Sequence, residues 1–122
     1  MKRTDAVPGP NAPTRREARR YPRYNINMRV AVQVFREGTV ESLWGRSNEL
    51  GQDGMSATLT GELQPGEVAW LEFTLPATIV ATRLRAVVRY RSGFRHGFEF
   101  LTLAEGQCEA IQRALEMADE DA

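Results

Sequence analysis

The stretch Arg83-Leu84-Arg85-Ala86-Val87-Val88-Arg89-Tyr90-Arg91 carries the clearest structural signal in this chain. Its side chains alternate in polarity. The apolar set is Leu84, Ala86, Val88 and Tyr90, the four arginines take the other positions, and Val87 is the exception. Because successive side chains of a β-strand point to opposite faces, this alternation predicts a strand with one buried and one solvent-facing side.

Runs of the same kind lie on both sides of this stretch, at residues 28–35, 39–44, 55–59, 68–75 and 97–101. Glu37-Gly38, Asp53-Gly54 and Pro65-Gly66 separate several of them and are typical of turns. Short strands at such close spacing indicate a closed or split antiparallel barrel. We therefore predict a mostly β fold, a small six-stranded antiparallel split barrel.

The end of the chain changes from a strand period to a helical one. Cys108, Ile111 and Leu115 recur at helical spacing, which predicts an amphipathic C-terminal α-helix with these three residues on its apolar face. Thr102 and Glu105 have the spacing of a capping box at its start.

Length and composition predict one domain. The 122 residues divide into a flexible, Pro-rich tail at 1–14, a barrel domain with its helix at 15–118, and an acidic tail at 119–122. Cys108 is the single cysteine and His96 the single histidine, so we expect no disulfide, no metal site and no enzymatic activity. No secretory signal or membrane-spanning run is present, which predicts a cytoplasmic protein without membrane insertion.

Charge is distributed unevenly along the chain. Residues 1–46 hold 10 Lys/Arg and 4 Asp/Glu, whereas residues 47–122 hold 6 and 12, so the net charge of zero divides into +6 and −6. The basic half includes Arg19-Arg20-Tyr21-Pro22-Arg23, directly before the first strand-like run. Arginine forks match phosphate oxygens and the O6/N7 edge of guanine, so this segment predicts an anionic partner. A solvated, solubilising hinge is the alternative.

The chain resembles the PilZ domain family, bacterial receptors for cyclic di-GMP, over roughly residues 15–117. Arg19-Arg20-Tyr21-Pro22-Arg23 is similar to the family's RxxxR motif before the first strand. The segment 49–55 lies where the family carries (D/N)xSxxG. The pair Val87-Val88-Arg89-Tyr90 and Gly97-Phe98-Glu99-Phe100 is similar to the family's last two strands, and the closing helix with Ile111 completes the likeness.

The resemblance implies a ligand, cyclic di-GMP, and a set of residues that hold it. By position these are Arg19, Arg20 and Arg23 of the first motif and Glu49, Gly51 and Gly54 of the second. The second motif departs from the family pattern, because Glu49 replaces Asp or Asn and Gly51 replaces the serine. Asn48 has the usual residue type one position early and would need a bulge, and Arg46 could reach a phosphate; both are weaker candidates.

Three functions follow from these observations. The first is a non-catalytic cyclic di-GMP effector, in which the arginine hinge closes over the nucleotide and changes contacts with an unidentified protein partner. The second is a PilZ-like adaptor that no longer binds the nucleotide. The third, nucleic-acid binding through Arg83, Arg85, Arg89 and Arg91, is disfavoured because the residues interleaved with these arginines are not aromatic. Trp44 and Trp70 are expected to pack in the core or at the barrel rim.

Overall fold

The computed structural model describes residues 21–118, which form seven β-strands and one α-helix. The elements are β1 (Tyr24–Asn25), β2 (Arg29–Arg36), β3 (Thr39–Leu50), β4 (Gly54–Leu59), β5 (Val68–Thr74), β6 (Ala81–Ser92), β7 (Arg95–Thr102) and α1 (Glu105–Glu116). The expected tails at 1–14 and 119–122 lie outside the described residues. No helix within residues 21–118 is long and apolar enough to cross a bilayer.

Six of the strands close into an antiparallel barrel. The order is β1-β3-β2-β5-β6-β7-β4, and a further pairing of β3 with β4 joins the two ends of the six-stranded ring. The short strand β1 adds to β3 outside this ring, with Tyr24 opposite Leu50. The predicted mostly β barrel with a C-terminal helix is therefore confirmed, and β1 is an addition that the sequence pattern did not predict.

Alternation places the core inside the barrel. The inward-facing residues of β2 are Val30, Val32 and Val34, all of them buried, and Leu71 and Leu84 meet them from β5 and β6. Each such side chain contributes about 1.5–3 kcal/mol by leaving water. Pattern alone predicted this set because one buried face requires period-two alternation.

The helix covers the end of the barrel at which β6 begins. Ile111, Ala114 and Leu115 are buried in the core cluster, and the side chain of Gln107 donates to the Arg83 carbonyl. The prediction for Cys108 was wrong: this residue is exposed. Cys108 precedes Ile111 by three positions, which is a helical spacing. The buried stripe of the helix is narrower than this spacing predicted and consists of Ile111, Ala114 and Leu115.

The start of α1 also differs from the predicted capping box. The helix begins at Glu105 with Ala104 as the N-cap residue. The side chain of Gln107 accepts a hydrogen bond from the Ala104 backbone N–H at 3.0 Å, so Thr102 and Glu105 do not form the box. Thr102 is the last residue of β7, where the barrel holds its backbone extended.

A β-bulge at Arg89 changes the end of the longest predicted strand. Val88 pairs with Phe98, but Tyr90 pairs with Gly97, so one extra residue stands on β6. A bulge shifts the alternation by one. Tyr90 consequently lies across the outer surface over Gly97, and its predicted place beside Leu84 on the inner face was wrong.

Candidate functional site

A second bulge sets the direction of the side chains in the second motif. β3 pairs with β4 through Ser47 opposite Ala57 and then Glu49 opposite Ser56, which leaves Asn48 as the extra residue. Ser47 is buried, whereas Asn48 and Glu49 are both half-buried. The bulge that Asn48 would need is thus present, and it turns two successive polar side chains toward the outer surface.

These two side chains have different neighbours. The Asn48 side-chain oxygen accepts a hydrogen bond from the Thr58 hydroxyl at 3.1 Å. A carboxylate oxygen of Glu49 lies 3.9 Å from Nη2 of Arg95, and the Glu49 side chain is only 14% exposed. Low exposure makes this carboxylate a directed acceptor rather than a solvated charge.

The side chain of Arg23 lies against the turn that follows β3. Its Nη2 is 3.5 Å from Oδ1 of Asp53. A Cβ on Gly51 would stand 3.0 Å from Cδ of Arg23 and 3.0 Å from the Pro22 carbonyl oxygen. The Gly51 N–H donates to the Gly54 carbonyl at 2.8 Å, which closes the turn. One arginine of the first motif and the turn of the second motif are therefore neighbours.

The close approach of β4 and β7 explains why position 54 is a glycine. It opens β4 opposite Glu99 of β7, and a Cβ there would stand 2.1 Å from the Phe98 carbonyl oxygen. Only a residue without a side chain permits this approach of the two backbones. The glycine thereby holds β4 and β7 together beneath the motif.

Arg95 is a candidate site residue that the sequence analysis missed. It starts β7, and its Nη2 reaches both the Ser56 hydroxyl, at 3.3 Å, and Glu49. Its Nε is buried and has no hydrogen-bond partner among the described residues. Sequence spacing gave no signal for this cluster, because Arg95, Ser56 and Glu49 meet only through the register of three strands.

Small residues form the floor of this outer surface beside Arg95. Ser56 is 2% exposed, and its neighbour across the β4–β7 pair is Gly97. A Cβ on Gly97 would lie 1.9 Å from a ring carbon of Tyr90, so the Tyr90 ring rests directly on the Gly97 backbone. The ring of Tyr90, the guanidinium group of Arg95 and the carboxylate of Glu49 thus border one outer surface across β3, β4, β7 and β6. We call this surface the bulge wall.

The remaining candidates lie at its margins or beyond the described part of the chain. Arg46 donates through Nε to the side-chain oxygen of Asn27, on the outer side of β3. Arg19 and Arg20 lie outside the described residues. Of the predicted set, the structure therefore brings together Arg23, Gly51 and Gly54 at the turn, with Glu49 on the adjoining strand.

Metal-ligating residue types and the single histidine also bear on the chemistry of this surface. Among residues 21–118, no group of three or more His, Cys, Asp or Glu could hold a metal ion. His96 is fully buried: Nε2 accepts from the Leu63 N–H at 2.9 Å, and Nδ1 lies 2.8 Å from the Phe94 carbonyl. Burial lowers the pKa of His96, so the neutral ring bridges two backbone segments.

Solved structures share this architecture. The Bacillus subtilis inhibitor of motility MotI (DgrA) is 23% identical, with a TM-score of 0.65 over 91% of this chain. The chain spans only 56% of the length of MotI. The PilZ domain of Escherichia coli YcgR, solved with cyclic di-GMP, is 20% identical with a TM-score of 0.65, over 82% of this chain and 90% of that one.

A third structure is the PilZ domain of CeSA from a cellulose-synthesizing bacterium. It is 15% identical with a TM-score of 0.59, over 78% of this chain and 95% of that one. Identities this low establish the shared fold. No curated protein sequence matches this chain. The sequence profile of the PilZ domain matches residues 14–117 and confirms the resemblance, so the chain belongs to the PilZ domain family.

Proposed function

We propose that this chain is a non-catalytic receptor for cyclic di-GMP that seats the nucleotide on the bulge wall, with Arg19, Arg20 and Arg23 closing over it. The observation that carries the proposal is the contact of Arg23 with the turn of the second motif, 3.5 Å from Asp53. Family membership and the fold shared with the cyclic di-GMP complex of the YcgR PilZ domain support the choice of ligand.

The polar groups of the bulge wall match the ligand. Guanine presents acceptors at O6 and N7 and donors on its amino edge, and the phosphates are anionic. Arginine supplies the donors, and Glu49 or Asn48 supplies an acceptor. The buried Nε of Arg95 is a donor without an acceptor among the described residues.

The missing serine hydroxyl weakens the site without removing it. One neutral hydrogen bond is worth about 0.5–1.5 kcal/mol, whereas a bidentate arginine–guanine contact is worth about 1–3 kcal/mol. Arg23 also fills part of the space that a side chain at position 51 would take, as the 3.0 Å approach shows. Arginine contacts therefore contribute more to the expected affinity than the lost hydroxyl.

Titration calorimetry at low salt tests the proposal. Cyclic di-GMP should give a saturable heat, and Arg23→Ala should weaken binding about 5- to 150-fold, the equivalent of one bidentate contact. Cyclic di-AMP has the same phosphates without the guanine O6, so it should bind more weakly. Arg113→Ala, an exposed arginine on α1, is the matched control and should leave the affinity unchanged. Absence of saturable heat from folded protein would overturn the proposal.

A PilZ-like adaptor without nucleotide binding is the second candidate. The contact between Arg95 and Glu49 favours it, because a carboxylate held by a neighbouring arginine is a poorer acceptor for guanine. The two candidates differ in one measurement. If a partner protein binds equally with and without cyclic di-GMP, and Arg23→Ala has no effect, the adaptor is the correct assignment.

A further inference from the structure

Two tryptophans lie on the outside of the barrel, not in its core. Trp44 on β3 is 48% exposed and Trp70 on β5 is 40% exposed. They stand on the outer surface of β3, β2 and β5, where Trp44 pairs with Ala31 and Trp70 pairs with Gln33. The expectation that Trp44 and Trp70 pack in the core or at the barrel rim was therefore wrong. We call it the tryptophan face and add to it Phe35, Val40 and Val68, together with Arg29, Arg83 and Arg85.

Arginines lie over both rings. The guanidinium carbon of Arg83 is 4.2 Å from the ring centre of Trp70, and that of Arg85 is 5.9 Å away. Arg29 stands 4.6 Å from the Trp44 ring. Cation–π contacts of this kind are worth about 0.5–1 kcal/mol at exposed sites. They hold three positive charges beside apolar surface.

An apolar row continues the tryptophan face toward the other end of the barrel. Val40 pairs with Phe35, and the register of Val34 with Ala69 puts Val68 beside Phe35. Phe35 is 70% exposed, Val40 55% and Val68 45%. Three adjoining exposed apolar side chains on paired strands form a patch of the kind that marks an interaction site.

A hollow separates the row from the arginines. It has a volume of about 130 Å³ and is lined on its outer side by Ala31, Gln33, Ser42, Trp70, Glu72 and Arg83. Small side chains at positions 31 and 42 create it next to the Trp70 ring. The only carboxylate in this lining is Glu72, which lies 4.0 Å from Arg83.

We propose that the tryptophan face docks a protein segment in which an apolar side chain is flanked by carboxylates. The apolar side chain would enter the hollow beside Trp70, and the carboxylates would pair with Arg29, Arg83 and Arg85. Three arginines against Glu72 leave the face net positive, so charge complementarity selects an acidic partner. This docking needs no nucleotide, and it goes beyond the proposed function because it uses a different surface.

The partner contacts this face through side chains. β2 is paired on both sides, by β3 and β5, and β5 is paired by β2 and β6, so no strand edge is open between them. An extended segment therefore cannot add to the sheet here, and recognition depends on the Trp70 hollow and the arginines.

Charge and surface pattern disfavour two other occupants. Residues 1–20 of this chain contain six Lys/Arg and two Asp/Glu, so they carry the same sign as the face. Single-stranded nucleic acid also stacks on tryptophan and pairs with arginine. Its phosphates, however, would lie against Glu72 and against the uncharged row at Phe35, Val40 and Val68.

Intrinsic fluorescence reports on this face directly, because Trp44 and Trp70 are the two tryptophans of the chain. A random peptide display selection on the full-length protein, without cyclic di-GMP, supplies the probes. Counter-selection uses a variant with Trp70→Ser and Arg83→Glu, after circular dichroism has shown it to be folded. If it is not folded, Arg85→Glu takes its place. Arg113→Glu is the control of equal charge change on α1.

The expected result is enrichment of peptides with Asp or Glu next to Leu, Ile or Phe. Synthetic versions of these peptides should shift the tryptophan emission saturably. The affinity taken from this titration should be at least tenfold weaker for Arg85→Glu and unchanged for Arg113→Glu. Enrichment of basic peptides, or no enrichment over the counter-selection variant, would overturn the proposal. An emission shift with single-stranded DNA and none with peptides would assign the face to nucleic acid instead. Failure of cyclic di-GMP titration would leave these outcomes unaffected.

Discussion

The side chain of Arg23 occupies the space beside the α-carbon of Gly51, at a distance of 3.0 Å from the position of a Cβ. The arginine reaches Asp53 from there. Position 51 is where the family pattern carries serine, so this chain has exchanged a hydroxyl for closer packing of an arginine on the turn. The absence of a side chain at position 51 and the packing of Arg23 on the turn are therefore coupled.

Gly51→Ser tests this coupling. The new side chain must displace Arg23 and press on the Pro22 carbonyl, so we expect a loss of about 1 kcal/mol in the free energy of unfolding, measured with urea. The loss should be smaller when Arg23 is alanine, because part of the clash is then removed. Gly106→Ala on α1, where a Cβ meets nothing within 4 Å, is the control and should not destabilise. Equal losses in both Arg23 backgrounds would contradict the coupling.

Gly54→Ala should destabilise the barrel far more than Gly51→Ser. A Cβ at position 54 meets a backbone carbonyl at 2.1 Å, and the β4–β7 pair must separate to admit it. Overpacking against backbone costs about 3 kcal/mol. Thermal unfolding followed by circular dichroism measures this. A change in melting temperature no larger than that of Gly51→Ser would show that the two strands can move apart.

His96 gives the domain a pH dependence near neutrality. Burial lowers its pKa below the usual value of 6.5, so the unfolded chain binds the proton first as the pH falls. Stability should therefore decrease from pH 7 to pH 5.5 and stop decreasing once the folded ring is protonated. Urea unfolding at stepped pH tests this, and His96→Gln should flatten the profile. A flat wild-type profile would contradict the prediction.

Glu67 should cause a separate loss of folding stability at lower pH. Its carboxylate receives two hydrogen bonds from Arg36, at 2.9 and 2.7 Å, and these lower the pKa of Glu67 below 4.5. A depressed carboxyl pKa stabilises the fold above the unfolded value, and this contribution disappears as the pH falls through the folded value. Glu67→Gln should remove this acid-dependent part below pH 4.5 and leave the part due to His96. If Glu67→Gln leaves the stability profile below pH 4.5 unchanged, the ion pair with Arg36 contributes nothing to folding stability.

Substitution of Arg95 should change the ligand affinity more than substitution of Glu49. Arg95→Ala removes a donor from the bulge wall, so we expect cyclic di-GMP to bind about 5- to 20-fold more weakly. Glu49→Gln keeps an acceptor but removes the charge that attracts Arg95, so we expect a change of less than about fivefold. Calorimetry measures both. Tighter binding by Arg95→Ala would show that the contact with Glu49 blocks the site.

Local pattern was sufficient for the six strands of the closed ring and for most of their inner faces. Period-two alternation predicted the buried side of β2, because a half-buried strand imposes that period. The same rule failed at Tyr90 and left Asn48 undecided. A bulge depends on how two strands pair, and no single strand sequence contains that information.

The sequence by itself determined the barrel, the closing helix and the family, since these depend on local period and on motif order. Only the tertiary structure decided that Arg95 meets Glu49 and that Arg83 covers Trp70. Arg95 and Glu49 are 46 positions apart in the chain, and Arg83 and Trp70 are 13 apart. Strand register makes the two members of each pair neighbours. Register is fixed by the closure of the whole barrel, because each strand must satisfy two partners at once.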